Sequence, residues 1–463
     1  MNAYSRRRPD LNTLLISLVA ERHARDGRIV FQLFISGEEA ATAEMSCGKV
    51  GFPDSSADLG RKYRYGEPEY HVSDEVIGLL RAALDKHGVL DGPLWLELNP
   101  PGCSLPLVPW ERLLQPGLGV PLLRRSFFQS GGAIPHSDWL DVVLCASAPV
   151  AKGTMPLPEL VSDFTSRILD TRPGGATIHV FSDQDSYRTL QRKLPNQVGA
   201  AGEHGVRLYD PATAIGYEPA ERSRELRDEP RKVLNPWLAW MTDSLGGRTI
   251  DVMHFICHGL IYLDQGALAL AESPCLNEDK GLARFVGVRQ LNAFLDRTGA
   301  YTLALTSPPH NFSVLGLRVL TEQVARTRPG VTLLHDYSLD REFLDLGATY
   351  RVLYVGDATE PPRSPALSLY CTPAALDKGG AAGAVANNSS ALAKLTGGAA
   401  RGAPRVDKEE GAWVASGLRW IERTASQLGE AAGGPVSQTA TTEGIEDALK
   451  FVSDVLERHR LKR

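Results

Sequence analysis

The 463-residue chain predicts an α/β fold: a mostly parallel sheet covered by helices on both faces, with a small N-terminal α/β lobe and C-terminal helices. Three observations predict it. From Asp138 onward, short apolar runs alternate with amphipathic stretches, the pattern of strands joined by crossover helices. Runs such as Val142-Val143-Leu144 are apolar without alternation, as strands are when a parallel sheet is covered on both faces. Ahead of them, a helix pattern lies between two strand patterns.

In the N-terminal part, Ile29 to Ser36 and Leu94 to Leu98 read as strands, because β-branched and aromatic residues fall in short runs bounded by Gly and Pro. Ser73 to Lys86 reads as a helix. Ser73 supplies a cap, Asp74 and Glu75 suit the positive end, and Val76, Leu79, Leu80 and Leu84 form one face. Pro106 to Leu114 reads as a strand end passing into a helical turn, with Pro109 at a start position that tolerates a missing N–H.

Beyond Asp138 the expected strands are Asp141 to Ala146, Thr177 to Phe181, Val206 to Tyr209, Thr249 to Ile256, Thr302 to Thr306 and Val331 to Leu334. Helices are expected at Pro158 to Asp170, Ser186 to Leu194, Asn235 to Leu245, Val288 to Asp296 and Ser313 to Arg326. Pro211 to Lys232 is polar and reads as a surface excursion, while Gly379 to Arg405 reads as a Gly/Ala-rich linker or loop. Two amphipathic helices are expected after it, Trp413 to Leu428 and Ile445 to Leu461, as core, lid or partner-binding elements. The expected division is therefore an α/β lobe over 1–135, an α/β domain over 136–378, the linker over 379–405 and C-terminal helices over 406–463.

Composition narrows the function classes. Hydrophobic residues make up 43% and charged residues 23%, ordinary values for a folded domain. Fifty Lys and Arg against 55 Asp and Glu leave a net charge of −5, which gives no field to concentrate nucleic acid or anionic lipid. Six cysteines without a C-x-x-C pair argue against a disulfide framework or zinc knuckle, and for a reducing compartment. The apolar run Leu14 to Ala20 is broken by Ser17 and has no cleavage site after it, and no stretch reaches the roughly 18–20 apolar residues of a membrane span, so the expected location is the cytoplasm. No nucleotide-binding glycine motif appears, which leaves a small-ligand sensor as a minor alternative, and no cofactor is expected.

The sharpest feature is Ile250 to Gly259, an apolar run ending in His258-Gly259. A crevice in an open α/β sheet lies beyond the carboxyl ends of its strands, so His258 is expected there, with Gly259 turning the backbone away and leaving the imidazole exposed at the rim. An imidazole so placed takes a proton from a neighbouring nucleophile near neutral pH. His254, in mid-strand, is expected to be buried and hydrogen-bonded. His254 and His258 share one face and Cys257 takes the other, so with no third ligand a metal site is not expected.

This run resembles the CHAT family of caspase-like peptidase domains, related to separase and the caspases. The family shows a strand ending in His-x-x-(Cys/Gly/Ala)-His-Gly, then a Gly-Ala/Gly-x-Leu strand, a helix, and an apolar strand ending in the nucleophile. His254 to Gly259, Gly266 to Leu270 and Val288 to Asp296 match the first three in order. Leu94 to Leu98 and Val108 to Leu113 resemble the family's entry segment, a strand followed by Pro-Trp-Glu-x-Leu, so the resemblance spans about 90 to 340.

It implies a caspase-like fold, a His258 base and a cysteine nucleophile, and the last is missing. Where the family carries Ala-Cys after its apolar strand, Leu303-Ala304-Leu305-Thr306 is followed by Ser307-Pro308-Pro309. Proline has no nucleophilic group, and a serine hydroxyl needs a positioned base and an oxyanion hole. The expectation is a pseudo-peptidase that binds a protein or peptide, and the resemblance implies a regulator or scaffold in a bacterial signalling or defence system. The rival is a diverged peptidase pairing His258 with Ser307, Cys257 or Cys371. Asp336, at the end of another strand, is either a turn acid or a pocket for a basic peptide residue.

Overall fold

A computed structural model describes residues 11–19, 27–52, 69–89, 92–99, 105–126, 139–149, 155–173, 175–194, 198, 203–217, 235–262, 265–275, 283–308, 311–355 and 361–376. The linker and both C-terminal helices of the sequence reading lie outside these residues.

The N-terminal part supplies β1 (Thr13–Val19), β2 (Arg28–Ile35), β3 (Glu38–Ser46), α1 (Cys47–Val50), α2 (Asp74–Lys86), β4 (Leu94–Asn99), α3 (Trp110–Leu118) and β5 (Leu122–Arg125). Next come β6 (Leu140–Ser147), α4 (Leu157–Thr171), β7 (Ala176–Ser182), α5 (Gln184–Lys193), β8 (Gly205–Leu208) and α6 (Pro236–Leu245). The chain continues through β9 (Val252–Tyr262), β10 (Gln265–Ala271), β11 (Ala283–Gly287), α7 (Val288–Thr298), β12 (Thr302–Ser307) and α8 (Asn311–Thr327). β13 (Val331–Asp336), α9 (Leu344–Tyr350), β14 (Leu367–Cys371) and α10 (Pro373–Leu376) complete it.

The α/β expectation holds: fourteen strands among the described residues form one mixed, mostly parallel sheet in the order β3-β2-β1-β4-β5-β14-β13-β12-β9-β6-β7-β8, with β10 and β11 added to the far end of β9. The strands of the N-terminal lobe are continuous with the rest. β5 pairs in parallel with β14 through Tyr370↔Arg124 and Cys371↔Arg125, and β14 runs antiparallel to β13.

Two apolar layers sandwich the central strands. On one face, Val142, Leu144, Val252, Ile256 and Ala304 pack with Leu160, Phe164 and Ile168 of α4 and with Leu346 of α9. On the other, Val143, Cys145, Met253, Phe255, Leu303 and Leu305 pack with Trp237 and Trp240 of α6, Phe294 of α7 and Leu317 and Leu320 of α8. Each wholly buried Val, Leu, Ile, Phe or Met among them contributes roughly 1.5–3 kcal/mol. In the N-terminal part, Val76, Leu80 and Leu84 of α2 pack with Trp110 and Leu114 of α3 over β1, β2 and β4. Ser73 caps α2 as expected, its hydroxyl accepting from the Val76 amide, but Leu79 turns outward and is 42% exposed.

Three local departures from the sequence reading have clear causes. The apolar run forms β1 (Thr13–Val19), pairing with β2 and β4, with Leu14 and Ile16 wholly buried in the core of the N-terminal part. The excursion after Asp210 begins as a 3-10 helix, Pro211–Tyr217, tied down where Trp240 Nε1 donates to Thr213 Oγ1. Most consequentially, β9 does not end at His258. It runs on to Tyr262 and pairs antiparallel with β10. No described helix is long and apolar enough to cross a membrane.

Candidate functional site

The three strands singled out by their chemistry lie side by side. β9, carrying His254 and His258, pairs in parallel with β12, carrying Thr306 and Ser307, and β12 pairs in parallel with β13, carrying His335 and Asp336. Register then decides which side chains meet. Residues paired across a sheet share a face and neighbours along a strand alternate. Ala304 pairs with His254 and Thr306 with Ile256. The pairing ends there; Ser307, next along β12, alternates onto the face of Leu303 and Leu305, while His258, two residues beyond Ile256 in β9, keeps the face of His254 and Ile256. Ser307 therefore takes the face opposite to the imidazole.

Each candidate residue has a definite environment. His258 is 7% exposed, buried and not standing free at the rim as the sequence reading had it. Gly259 does not turn the chain away; it sits within β9, paired with Leu268. What glycines do here is admit α8. A Cβ built on Gly316 of α8 would lie 2.8 Å from the carbonyl carbon of Gly259 and 2.7 Å from that of Leu260, so helix and strand meet backbone to backbone. Ser307 is buried, and its Oγ has no hydrogen-bond partner among the described residues, so no Ser307–His258 hydrogen bond is formed.

Asp336 is a turn acid: its Oδ1 accepts from the Ser338 amide at 3.0 Å and the Ser338 hydroxyl at 2.6 Å. Cys257 and Cys371 are wholly buried, and burial pushes both thiols well above their usual range, so neither is a ready thiolate. Cys145, in the same layer as Cys257, is raised likewise, by burial and then by the neighbouring Cys257.

Beneath this ledge lies a polar chain that no motif announced. Tyr350 Oη is 2.9 Å from His254 Nδ1, and His254 Nε2 is 2.8 Å from Thr306 Oγ1. Thr306 Oγ1 is 3.1 Å from His335 Nδ1, and His335 Nε2 is 3.2 Å from Asp340 Oδ2. Asp340 also accepts from the amides of Leu344, Asp345 and Leu346 at the start of α9. Burial alone would raise its carboxyl, but hydrogen bonds from His335 and from the Leu346 and Leu344 amides hold it below the usual carboxylate range. Burial, and then the neighbouring His335, hold His254 well below the ordinary histidine value. His254 is thus buried and hydrogen-bonded as expected, and His335, next to Asp336, is fully buried as well.

An Asp340–His335–Thr306 sequence is an acid, an imidazole and a hydroxyl in line. With all of Thr306 buried and its oxygen bound to two rings, the hydroxyl reaches no substrate. The signal for this chain in the sequence was slight: two strand histidines, at 254 and 335, with a threonine strand residue between them in chain order. No group of three or more His, Cys, Asp or Glu suited to a metal ion occurs among the described residues.

A second buried cluster joins the lobes. Glu111 binds Arg124 twice, at 2.5 and 2.9 Å, and Arg124 Nη1 donates to Tyr370 Oη at 2.6 Å. Glu322 of α8 hydrogen-bonds Tyr370, and burial raises its carboxyl. The Trp110 indole donates to Leu105 O at 2.9 Å. The Pro109-Trp110-Glu111 motif is therefore an internal brace, far from acting as a surface determinant. No protein-family model, curated protein or solved structure matches the chain.

Proposed function

We propose that the chain is a caspase-like module of the CHAT type that has lost its thiol nucleophile and binds a protein or peptide partner, acting as a regulator or scaffold in a bacterial signalling or defence system. One observation carries the loss of catalysis. Ser307 follows Thr306, which pairs with Ile256, onto the face opposite to His254 and His258, and its Oγ makes no hydrogen bond to the imidazole among the described residues. The kinship rests on the ordered motifs, and the adjacency of the histidine strand and the Ser307 strand in one sheet is what that kinship requires. The burial of Cys257 and Cys371 supports the same reading.

The test is to incubate the full chain with a degenerate peptide library, reading cleavage by mass spectrometry and retention on the immobilised protein. Retention of a peptide subset without cleavage is the expected result. Cleavage that disappears in His258→Ala overturns the loss of activity, and failure to retain any peptide overturns the binding role.

A further inference from the structure

The polar chain under the ledge begins and ends on the same helix. Asp340 receives the first three amides of α9, and Tyr350 is the residue at which α9 passes into a π-helical turn, Arg351–Val355. Between those ends the chain of bonds crosses β13 at His335, β12 at Thr306 and β9 at His254. The start of α9 needs holding. Phe343, the residue before it, has φ 54°, a left-handed conformation that a bulky side chain rarely adopts. Its ring is buried against His335, at 5.2 Å between centroids, and against Phe164, at 5.8 Å.

The donors and acceptors admit one order. An ionised Asp340 only accepts, so His335 Nε2 carries the proton toward it. Neutral His335 then has a bare Nδ1, which the Thr306 hydroxyl must supply. Thr306 Oγ1, having given its proton, accepts from His254 Nε2–H, and the bare His254 Nδ1 accepts from Tyr350 O–H. Every group is satisfied. A second proton on His335 turns its bond to Thr306 round, so that either the Thr306 hydroxyl loses its acceptor or, if it turns to His254 Nε2 and so reverses the next bond too, the Tyr350 hydroxyl does, since among the described residues His254 is its only partner. A buried donor left in that state is costly.

We infer that Tyr350, His254, Thr306, His335 and Asp340 form a single hydrogen-bond wire of fixed polarity, with both imidazoles as Nε2–H tautomers, that latches the two ends of α9 to the central strands. Thr306 is the midpoint and touches neither helix end, yet holds both. The latch stands independently of any peptide-binding role.

Two measurements on the full chain test it. Nitrogen-15 spectra of the histidines at neutral pH are expected to show His254 and His335 as neutral Nε2–H tautomers; an Nδ1–H tautomer on either ring overturns the wire, without need of any variant. Hydrogen exchange is then compared between Thr306→Ser, which keeps the hydroxyl, and Thr306→Val, which keeps the shape. Thr306→Val should speed exchange of the α9 amides about tenfold relative to those of α4, with Thr306→Ser close to the parent. Acceleration spread evenly over all helices, or none on α9, refutes the latch.

Discussion

Replacing Glu111 by Gln is the perturbation from which most can be worked out. Glu111 and Arg124 side chains are each 2% exposed, so their ion pair is fully desolvated. Glutamine keeps the shape and one acceptor but removes the charge, leaving the guanidinium buried beside Tyr370 and Glu322. Breaking a buried pair by removing one partner costs about 3–5 kcal/mol, against about 0.2–1 kcal/mol for an exposed pair. Glu322 limits the loss. Burial holds its carboxyl up while Arg124 draws it down, and without Glu111 it becomes the carboxylate that balances Arg124. The expected destabilisation is therefore near the lower end, about 3 kcal/mol, read from denaturant unfolding followed by linear extrapolation. Glu44→Gln, which breaks the half-exposed Arg28–Glu44 pair, serves as the control and should cost under about 1 kcal/mol. Because Arg124 and Tyr370 pair across β5 and β14, both halves of the sheet should unfold together in the parent chain. A Glu111→Gln loss no larger than the control's would refute the view that this cluster braces the lobes.

Gly316→Ala sets two effects against each other. Alanine gains about 1 kcal/mol of helix propensity, but its Cβ meets the β9 backbone, which cannot rotate aside, at a cost of about 1–3 kcal/mol or more; a net loss of stability is expected in thermal unfolding, and a gain would show that α8 is free to move away from β9. Acid should weaken the fold through His254 and His179, both held below the ordinary histidine value by burial, with Asp141 partly opposing the shift at His179. Their contribution is whole above the unfolded value of about 6.5 and is lost below it, as the unfolded chain takes up protons that the folded chain refuses, so two rings imply a loss of up to roughly 2.7 kcal/mol per pH unit. Denaturation midpoints that stay level between pH 7.5 and 5.5 would contradict this.

How much was legible in the sequence follows from how local each feature is. Ser73 with Asp74 and Glu75 announces α2 within four residues, and Val142-Val143-Leu144 announces a covered central strand in three. The burial of His254 was readable from its mid-strand position alone. Its partners were not, because Thr306 and Tyr350 lie 52 and 96 residues away and meet it only through strand register and the packing of α9. Gly259 misled for a different reason: glycine marks a turn and a close backbone approach equally well, and only the presence of Gly316 across from it distinguishes the two. β5 carries just four residues, too few for periodicity to show, so the joining of the two halves through β14 was invisible even though the segment that holds Glu111 was in view.

The even-numbered side of β12 explains why the hydroxyls beside the histidine strand are not free for chemistry. Thr302, Ala304 and Thr306 share the face of Val252, His254 and Ile256, and each polar oxygen on that face is already engaged. Thr302 Oγ1 accepts from Tyr354, and Thr306 Oγ1 joins two histidines. The next residue of the same parity, Pro308, lies just past the end of β12 and has no nucleophilic group. Moving Ser307 onto that face requires a one-residue slip of β12, which would also pull Thr306 from His254 and His335 and turn Leu303 and Leu305 out of their layer. The interior thus holds the ledge in its present register, and the bonds that fix His254 are the ones that keep a hydroxyl from His258.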